Sequence, residues 1–226
     1  MHLLYENRVE AGVRLAKSLE SYKRSDAVVM AIPRGGIPVA AVLAHRLDLK
    51  WNIIVTRKLP IPYNPEAGFG AVTADGSVVL NEAMVHGLQL TKHQIDEVAQ
   101  AVKEDVVQRT KFFTREKSPV SIAGKTVIVV DDGLATGYSM LAAIQSLRNQ
   151  NASKIIAASP IASRSAAALV ERSADECFFE IVSPSIPFAV ADFYVEWHDL
   201  SEDDLLPYLR AESPSPQPSP ARGEGD

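Results

Sequence analysis

Two adjacent carboxylates directly follow an apolar stretch of the sequence. The stretch is 127–130 (Val-Ile-Val-Val), the carboxylates are Asp131 and Asp132, and the segment 136–139 (Thr-Gly-Tyr-Ser) then opens a run with helical spacing. Free backbone amides at a helix N-terminus attract phosphate, whereas carboxylates suit sugar hydroxyls or a divalent cation held through water. The pattern therefore predicts a site for a ligand with a phosphate at one end and a vicinal diol at the other.

The predicted contacts extend through the whole loop. Gly137 lets the backbone approach a ligand because it has no Cβ, and Thr136 and Ser139 add hydroxyl donors. A polar turn followed by an ordinary helix cap would use the same residue types, but the apolar strand before it and the Thr-Gly-x-Ser after it favour the ligand site. We predict contacts to the ligand from Asp131, Asp132, Gly133, Ala135, Thr136, Gly137, Tyr138 and Ser139. Any metal ion there would be held by Asp131 and Asp132.

Other phosphate chemistries lack their motifs in this sequence. It has no Gly-x-x-x-x-Gly-Lys-Ser/Thr loop and no Gly-x-Gly-x-x-Gly loop after a strand, which disfavours P-loop hydrolysis and dinucleotide redox chemistry. A phosphatase with Asp131 as its nucleophile would need Asp-x-Asp spacing, which is also missing.

A second set of polar residues follows another apolar stretch, 27–32. Arg34 supplies a fixed positive charge, and Gly35 and Gly36 expose amides at the start of the next predicted helix. A plain turn with a solvated arginine would look the same in isolation. Together with the Asp131–Asp132 loop, the pattern favours a second anion site here.

The segment 57–75 is rich in proline, glycine and asparagine and is predicted to be a long loop. Long loops in compact domains are often lids over a site. Arg57 and Lys58 stand at its start, where they end the second predicted strand, and Glu66 lies within it.

Apolar runs and helical periodicities alternate along the chain, which predicts an α/β fold with a doubly wound, mostly parallel sheet. Strands are predicted at 27–32, 51–56, 78–80, 125–130, 155–158 and 177–182. Helices are predicted at 7–22, 37–47, 91–115, 139–149, 164–172 and 200–209. The first helix is expected to bury Val9, Val13, Ala16 and Leu19.

Composition narrows the function classes. The chain has 226 residues, 46% of them hydrophobic and 23% charged, with a net charge of −5, which disfavours a broad nucleic-acid or anionic-membrane surface. With Cys177 as its only cysteine, the chain cannot form an internal disulfide, and we expect a cytoplasmic protein without a signal peptide or membrane span. The tail 211–226, rich in serine and proline, is predicted to be disordered.

The stretch 127–139 resembles the signature of the type I phosphoribosyltransferases, which bind 5-phosphoribosyl-1-pyrophosphate (PRPP). Over roughly 3–210 the chain also resembles a bacterial group of uncharacterised phosphoribosyltransferase-domain proteins. The resemblance implies one domain at 1–210 with a flap at 57–76, a helical insertion at 84–118 and a small hood near the chain ends. It also implies a pyrophosphate loop with a cis Pro33–Arg34 bond, made of Pro33, Arg34, Gly35 and Gly36.

The resemblance further implies roles for individual residues. Arg57 and Lys58 would join Arg34 in neutralising pyrophosphate, and Glu66 is equally consistent with a metal or nucleophile contact and with a solvated acid. In the hood, His198 is a candidate for the acceptor pocket. Phe188 and Trp197 are candidates to stack on a base, although a place in the apolar core is favoured for both.

The function expected from this resemblance is transfer of a phosphoribosyl group from PRPP to a nitrogen acceptor, with Mg²⁺ as cofactor. The substrates would be PRPP and a small-molecule acceptor. The oligomeric state is left open, with a homodimer as the candidate. The alternative is a regulator that binds PRPP without catalysis, which would not need the three cations Arg34, Arg57 and Lys58.

Overall fold

The computed structural model describes residues 4–61, 64–115 and 117–210, with the backbone alone at 64–66. In chain order the elements are α1 (Arg8–Ser18), β1 (Val28–Ala31), α2 (Gly36–Leu47), β2 (Lys50–Ile53), β3 (Thr56–Ile61), β4 (Asn64–Thr73), β5 (Val78–Leu80), α3 (Glu82–Gly87), α4 (Lys92–Thr114), β6 (Thr126–Val130), α5 (Tyr138–Asn149), β7 (Lys154–Ser163), α6 (Arg164–Val170), β8 (Glu176–Ser183) and α7 (Glu202–Arg210). The predicted tail 211–226 lies outside the described residues.

The main sheet is parallel, in the order β2-β1-β6-β7-β8. Side chains of successive strand residues point to opposite faces, so Ile128 and Val130 join the core beneath α1, α2 and α7. Val127 and Val129 join the core beneath α5 and α6. Helices therefore cover both faces, and the predicted doubly wound α/β fold is confirmed.

The prediction of a long loop at 57–75 is wrong, because most of this segment forms strands. β3, β4 and β5 make a second, antiparallel sheet. Proline and glycine usually interrupt strands, but Pro60 lies in the edge strand β3 where the pairing register shifts. Gly70 lies where a Cβ would come within 2.3 Å of the Val79 carbonyl oxygen, so the close approach of two strands requires a glycine.

The second predicted strand, 51–56, also ends earlier than expected. β2 stops at Ile53, and the last bond to its neighbour is donated by the Ile54 amide to the Ala31 carbonyl oxygen. Thr56 already belongs to β3. Arg57 and Lys58 therefore begin the small sheet rather than ending the main one.

The turn between β4 and β5 is fixed to α5. Ser146 on that helix donates a hydrogen bond to Asp75 (3.0 Å), and Asn149 donates one to the Ser77 hydroxyl (3.0 Å). Although burial opposes it, hydrogen bonds from Thr73, Ser77 and Ser146 hold the pKa of Asp75 below its usual value. This end of the small sheet is thus anchored to the helix that begins at the predicted phosphate loop.

The buried face of α1 agrees with the predicted one at Ala16 and Leu19 and differs at the two predicted valines. The structure buries Arg8, Ala11, Gly12, Leu15 and Ala16, whereas Val9 and Val13 are only half-buried. The reason is a close contact with α2, since a Cβ on Gly12 would lie 2.7 Å from the Val39 carbonyl oxygen. Arg8, one helical turn before Gly12, lies on the same buried face.

The remaining helices follow the sequence closely. α4 begins after Thr91, whose side chain forms a reciprocal capping box with Gln94. Its residues Val106 and Phe113 are buried in the core that includes the small sheet. Across the part of the chain that the structure describes, none of the helices has both the length and the apolar character to cross a bilayer.

Cys177 on β8 should be a slow nucleophile in the folded protein. Burial, with a smaller contribution from the Glu171 carboxylate, raises the pKa of its thiol to about 11. At pH 8 we expect iodoacetamide to alkylate it at least about tenfold more slowly than free cysteine, with normal reactivity restored in urea. Mass spectrometry of timed samples measures the rate, and alkylation of the folded protein as fast as free cysteine would contradict the half-buried setting of the thiol.

Candidate functional site

The two predicted loops lie side by side at the carboxyl edge of the main sheet. β1 pairs with β2 on one side and with β6 on the other, so the loops that follow β1 and β6 leave neighbouring strands. In open parallel sheets this reversal of strand order is where ligands bind. A Cβ added to Gly35 would lie 1.9 Å from Oδ2 of Asp132, which shows how closely the loops approach each other. The Pro33–Arg34 peptide bond is cis, as predicted.

The loop between β6 and α5 has a shape set by β7. Leu134 forms an isolated bridge with Ala162, and its amide donates to the Ile161 carbonyl oxygen (2.9 Å). The Ser163 hydroxyl donates to the Ala135 carbonyl oxygen (2.7 Å). Gly137 then takes a φ of 83°, which favours glycine, and α5 begins at the next residue. The chain thus presents the N-terminus of a twelve-residue helix at the predicted phosphate position.

Two cavities border this loop. A cavity of about 320 Å³ is lined by Arg8, Arg34, Gly35, Asp132, Val190, Trp197, Asp199 and Leu200. A cavity of about 500 Å³ lies beside Ala135, Thr136 and Tyr138, with Gly68 and Met84 on its small-sheet side. Asp131 lines neither cavity. Arg34 and Gly35 therefore share one cavity with Asp132, and Ala135, Thr136 and Tyr138 border the other.

The two acidic residues differ in their surroundings. Arg8 and Asp132 are 7% and 8% exposed, and Nε of Arg8 lies 2.7 Å from Oδ2 of Asp132. Asp131 accepts a hydrogen bond from the Asp132 amide (2.9 Å). Burial, and then the neighbouring Asp132 charge, raise the pKa of Asp131 well above its usual value. Arg8 therefore balances the negative charge of Asp132 within the protein. Asp131 is the carboxylate whose ionised form a ligand donor or a cation would stabilise more.

Asp131 and Asp132 suit a Mg²⁺ ion whose other ligands come from a bound substrate and from water. In the described part of the chain, no three His, Cys, Asp or Glu side chains form a metal-binding group. Mg²⁺ commonly binds through one or two carboxylates together with retained waters and substrate phosphates, and Asp131 and Asp132 are two adjacent carboxylates of this kind.

The other predicted cations lie in the small sheet. Nε of Arg57 lies 3.2 Å from Asp105 of α4 in a half-exposed ion pair. Lys58 lies in β3 with an exposed side chain. The Glu66 side chain lies outside the described residues. Among the predicted cations, Arg34 is the one that borders the same cavity as Asp132.

Two of the hood candidates, Phe188 and Trp197, are half-buried and pack against the aromatic core near the chain ends. Phe188 packs against Phe193, with ring centroids 5.7 Å apart. One face of Trp197 is covered by the Arg8 guanidinium, whose carbon lies 3.9 Å from the ring centroid. His198 is exposed, 3.9 Å from Asp204. Trp197 still borders the cavity that contains Asp132, but the covered face is closed to a base.

Arg8, Tyr194 and Val190 contact the site without having been predicted there. The Tyr194 hydroxyl donates to the Asp132 carbonyl oxygen (2.6 Å), and a Cβ on Gly133 would lie 2.3 Å from a Val190 methyl group. The burial of Arg8 could have been predicted from helical spacing, because Arg8 lies on the same face of α1 as Ala11 and Leu15. A charged residue in phase with apolar ones indicates a buried ion pair.

Comparison with known proteins is consistent with this geometry. The family model described as phosphoribosyl transferase domain matches residues 73–197. Two Mycobacterium tuberculosis proteins that carry a phosphoribosyl transferase name, Rv0571c and MT0597, are 34% identical over 206 residues, which is 91% of this chain and 46% of theirs. The chain thus spans about half the length of these relatives. The crystal structure of TT1426 from Thermus thermophilus aligns with a TM-score of 0.76 at 29% identity, covering 92% of this chain and 98% of that one.

Proposed function

The chain belongs to the phosphoribosyl transferase domain family, and from this premise we propose that it transfers the 5-phosphoribosyl group of PRPP to a nitrogen acceptor. The acceptor is a nucleobase or a related heterocycle, and pyrophosphate is released. The observation that carries the proposal is the close approach of the Arg34–Gly35 loop to the Asp131–Asp132 loop at the reversal of strand order. An anion site, two carboxylates and a helix N-terminus then follow one another along the carboxyl edge of the sheet.

Each part of PRPP has a matching group in this arrangement. The 5-phosphate accepts hydrogen bonds from the amides at 136–139, where the N-terminus of α5 favours negative charge. Asp131 and Asp132 accept hydrogen bonds from the ribose hydroxyls. Arg34 and the amides of Gly35 and Gly36 bind the pyrophosphate group.

In the reaction, the bond from the anomeric carbon to the pyrophosphate oxygen breaks, a bond to the acceptor nitrogen forms, and the proton carried by that nitrogen passes to solvent. The anomeric carbon passes through an oxocarbenium-like state, as in glycoside chemistry. Arg34 stabilises the charge that develops on the leaving group, and the carboxylates hold the ribose in place. Mg²⁺, when bound, supplies further positive charge to the pyrophosphate oxygens. The mechanism needs no nucleophilic side chain.

A PRPP-binding regulator without catalysis is the second candidate. The observation that favours it is the ion pair between Arg57 and Asp105, which turns one of the expected leaving-group cations toward α4. A regulator would keep the contacts to ribose and 5-phosphate and would need no clamp on pyrophosphate.

Pyrophosphate release distinguishes these functions. We expect purified protein with PRPP and Mg²⁺ to release pyrophosphate only when a suitable base from a panel of purines, pyrimidines and related heterocycles is added. The product nucleotide should appear in equal amount by chromatography. Tight PRPP binding without turnover on any base would favour the regulator and contradict the transferase.

A variant in which Asp131 and Asp132 are both replaced by Asn is the matched control for this assay. It should lose PRPP affinity under either candidate function, because both need the ribose contacts. If instead the variant bound PRPP as tightly as the wild type, the carboxylates would not contact the ribose.

A further inference from the structure

Arg8 makes three kinds of contact around the site. Its Nε donates to the Asp132 carboxylate, and its Nη1 donates to the His198 carbonyl oxygen (3.2 Å). Its guanidinium carbon lies over the Trp197 ring. Arg8 belongs to α1, which lies outside the matched family segment 73–197. A helix outside that segment therefore contributes a buried cation to the site.

The charge balance at the acidic pair depends on this arginine. Asp131 and Asp132 are adjacent, and because Asp132 is buried and Asp131 is half-buried, water screens their repulsion only in part. Arg34 and Asp199 also line the cavity, but the ion pair with Asp132 is made by Arg8. Without Arg8, the Asp132 carboxylate would be buried without its positive partner and free to turn toward Gly35 or Asp131.

Arg8 also joins the acidic loop to the hood segment, defined here as residues 188–200. This segment touches the loop in two other places, through the Tyr194 hydroxyl on the Asp132 carbonyl oxygen and through Val190 on Gly133. Those two contacts reach the backbone of the loop. Arg8 is the group that connects the Asp132 carboxylate itself to the hood segment. The cap of α1 fixes its starting point, because Asn7 accepts hydrogen bonds from the Val9 and Glu10 amides.

We propose that Arg8 is a positioning residue that sets the direction of the Asp132 carboxylate and holds the ribose side and the hood side of the cavity in one arrangement. The inference rests on the proposed function, since it assumes that Asp132 contacts the ribose of PRPP. Arg8 acts through Asp132 and does not itself contact the reacting atoms. Its influence should therefore disappear when Asp132 can no longer bind the ribose as a carboxylate.

A double-mutant cycle tests this role by calorimetric titration of PRPP with Mg²⁺. Groups that orient a liganding side chain typically change affinity about 10- to 100-fold, so we expect Arg8→Gln to weaken PRPP binding by such a factor. Arg8→Lys should recover part of the loss, because it restores the charge without the planar guanidinium. In an Asp132→Asn background, Arg8→Gln should have almost no further effect.

Controls separate positioning from folding. Arg14→Gln removes an arginine from the same helix, one that pairs with Glu10 at the surface, and should leave PRPP affinity unchanged. Thermal unfolding of every variant reports stability, and Arg8→Gln combined with Asp132→Asn should be more stable than Arg8→Gln alone, since no buried charge is left unpaired. An equal loss of affinity in both backgrounds would mean that Arg8 is only structural and would overturn the inference.

Different results would contradict the proposed function and the positioning role of Arg8. Absence of PRPP binding by the wild type would contradict the proposed function and, with it, this inference. Wild-type binding with an unaffected Arg8→Gln variant would contradict the inference alone. If Arg8→Gln fails to fold, Arg8→Lys in the two backgrounds completes the same cycle.

Discussion

Replacing Gly35 with alanine should lower the rate of pyrophosphate release by about 100-fold or more, because small displacements of positioning groups have effects of this size. The new Cβ would lie 1.9 Å from Oδ2, 2.2 Å from Cγ and 2.4 Å from Oδ1 of Asp132, so the carboxylate would have to move. The backbone would not resist the substitution, since Gly35 has a φ of −60° that alanine adopts freely. The expected loss therefore comes from the displaced carboxylate and its pair with Arg8.

Gly87→Ala is the matched control. A Cβ at Gly87 meets no atom within 4 Å, so this variant should keep wild-type rates and wild-type PRPP affinity. Steady-state kinetics and titration calorimetry on both variants make the comparison. Full activity in Gly35→Ala would show that pyrophosphate release does not depend on the observed position of the Asp132 carboxylate.

Replacing Arg34 with alanine should lower kcat/KM for PRPP by about 100- to 1,000-fold, the usual loss when one donor to a developing negative charge is removed. Arg34 is exposed and lines the cavity that contains Asp132, so the substitution removes a charge without leaving a hole in the core. Thermal stability should stay close to that of the wild type. Inorganic pyrophosphate should bind more weakly to the variant, whereas ribose 5-phosphate should bind as before.

Arg46→Ala provides the comparison for Arg34→Ala. Arg46 is also exposed and follows the same loop on α2, but it stands in the last turn of the helix. Its removal should change neither pyrophosphate affinity nor turnover. Equal behaviour of the two variants would place the pyrophosphate elsewhere than on the loop that contains Arg34.

Much of the site was predictable because parallel sheets obey a simple rule. Apolar runs such as 127–130 identify buried strands, and the polar residues that follow them must gather at one edge. That rule brought Arg34 and Gly35 together with Asp132, although about a hundred residues separate the two loops. The alternation of strands and helices also indicated the doubly wound fold.

The predictions of secondary structure and of the buried helix face were wrong where a residue lies in an element that its type usually avoids. Pro60 and Gly70 suggest a loop by composition, yet the edge position of β3 and the close approach of β5 place both in strands. Gly12 gives no hydrophobic signal, yet it lies where α1 packs so closely on α2 that a Cβ would come within 2.7 Å of the Val39 carbonyl oxygen. Such contacts depend on packing between elements, which a single-sequence periodicity does not contain.

The ion pair between Arg8 and Asp132 shows the same limit for the site. The two residues are 124 positions apart in the chain, and Arg8 lies on the face of α1 on which Gly12 packs against α2. Sequence reasoning could have marked Arg8 as a charged residue on an apolar face. Its partner could be identified only from the folded structure.

A crystal structure of the protein soaked with PRPP and Mg²⁺ tests the central claim most directly. The account predicts the 5-phosphate within hydrogen-bonding distance of the amides at 136–139, the ribose hydroxyls on Asp131 and Asp132, and the pyrophosphate on Arg34 and Gly35. Density for PRPP at any other place, or loops that hold nothing at a saturating concentration, would contradict it.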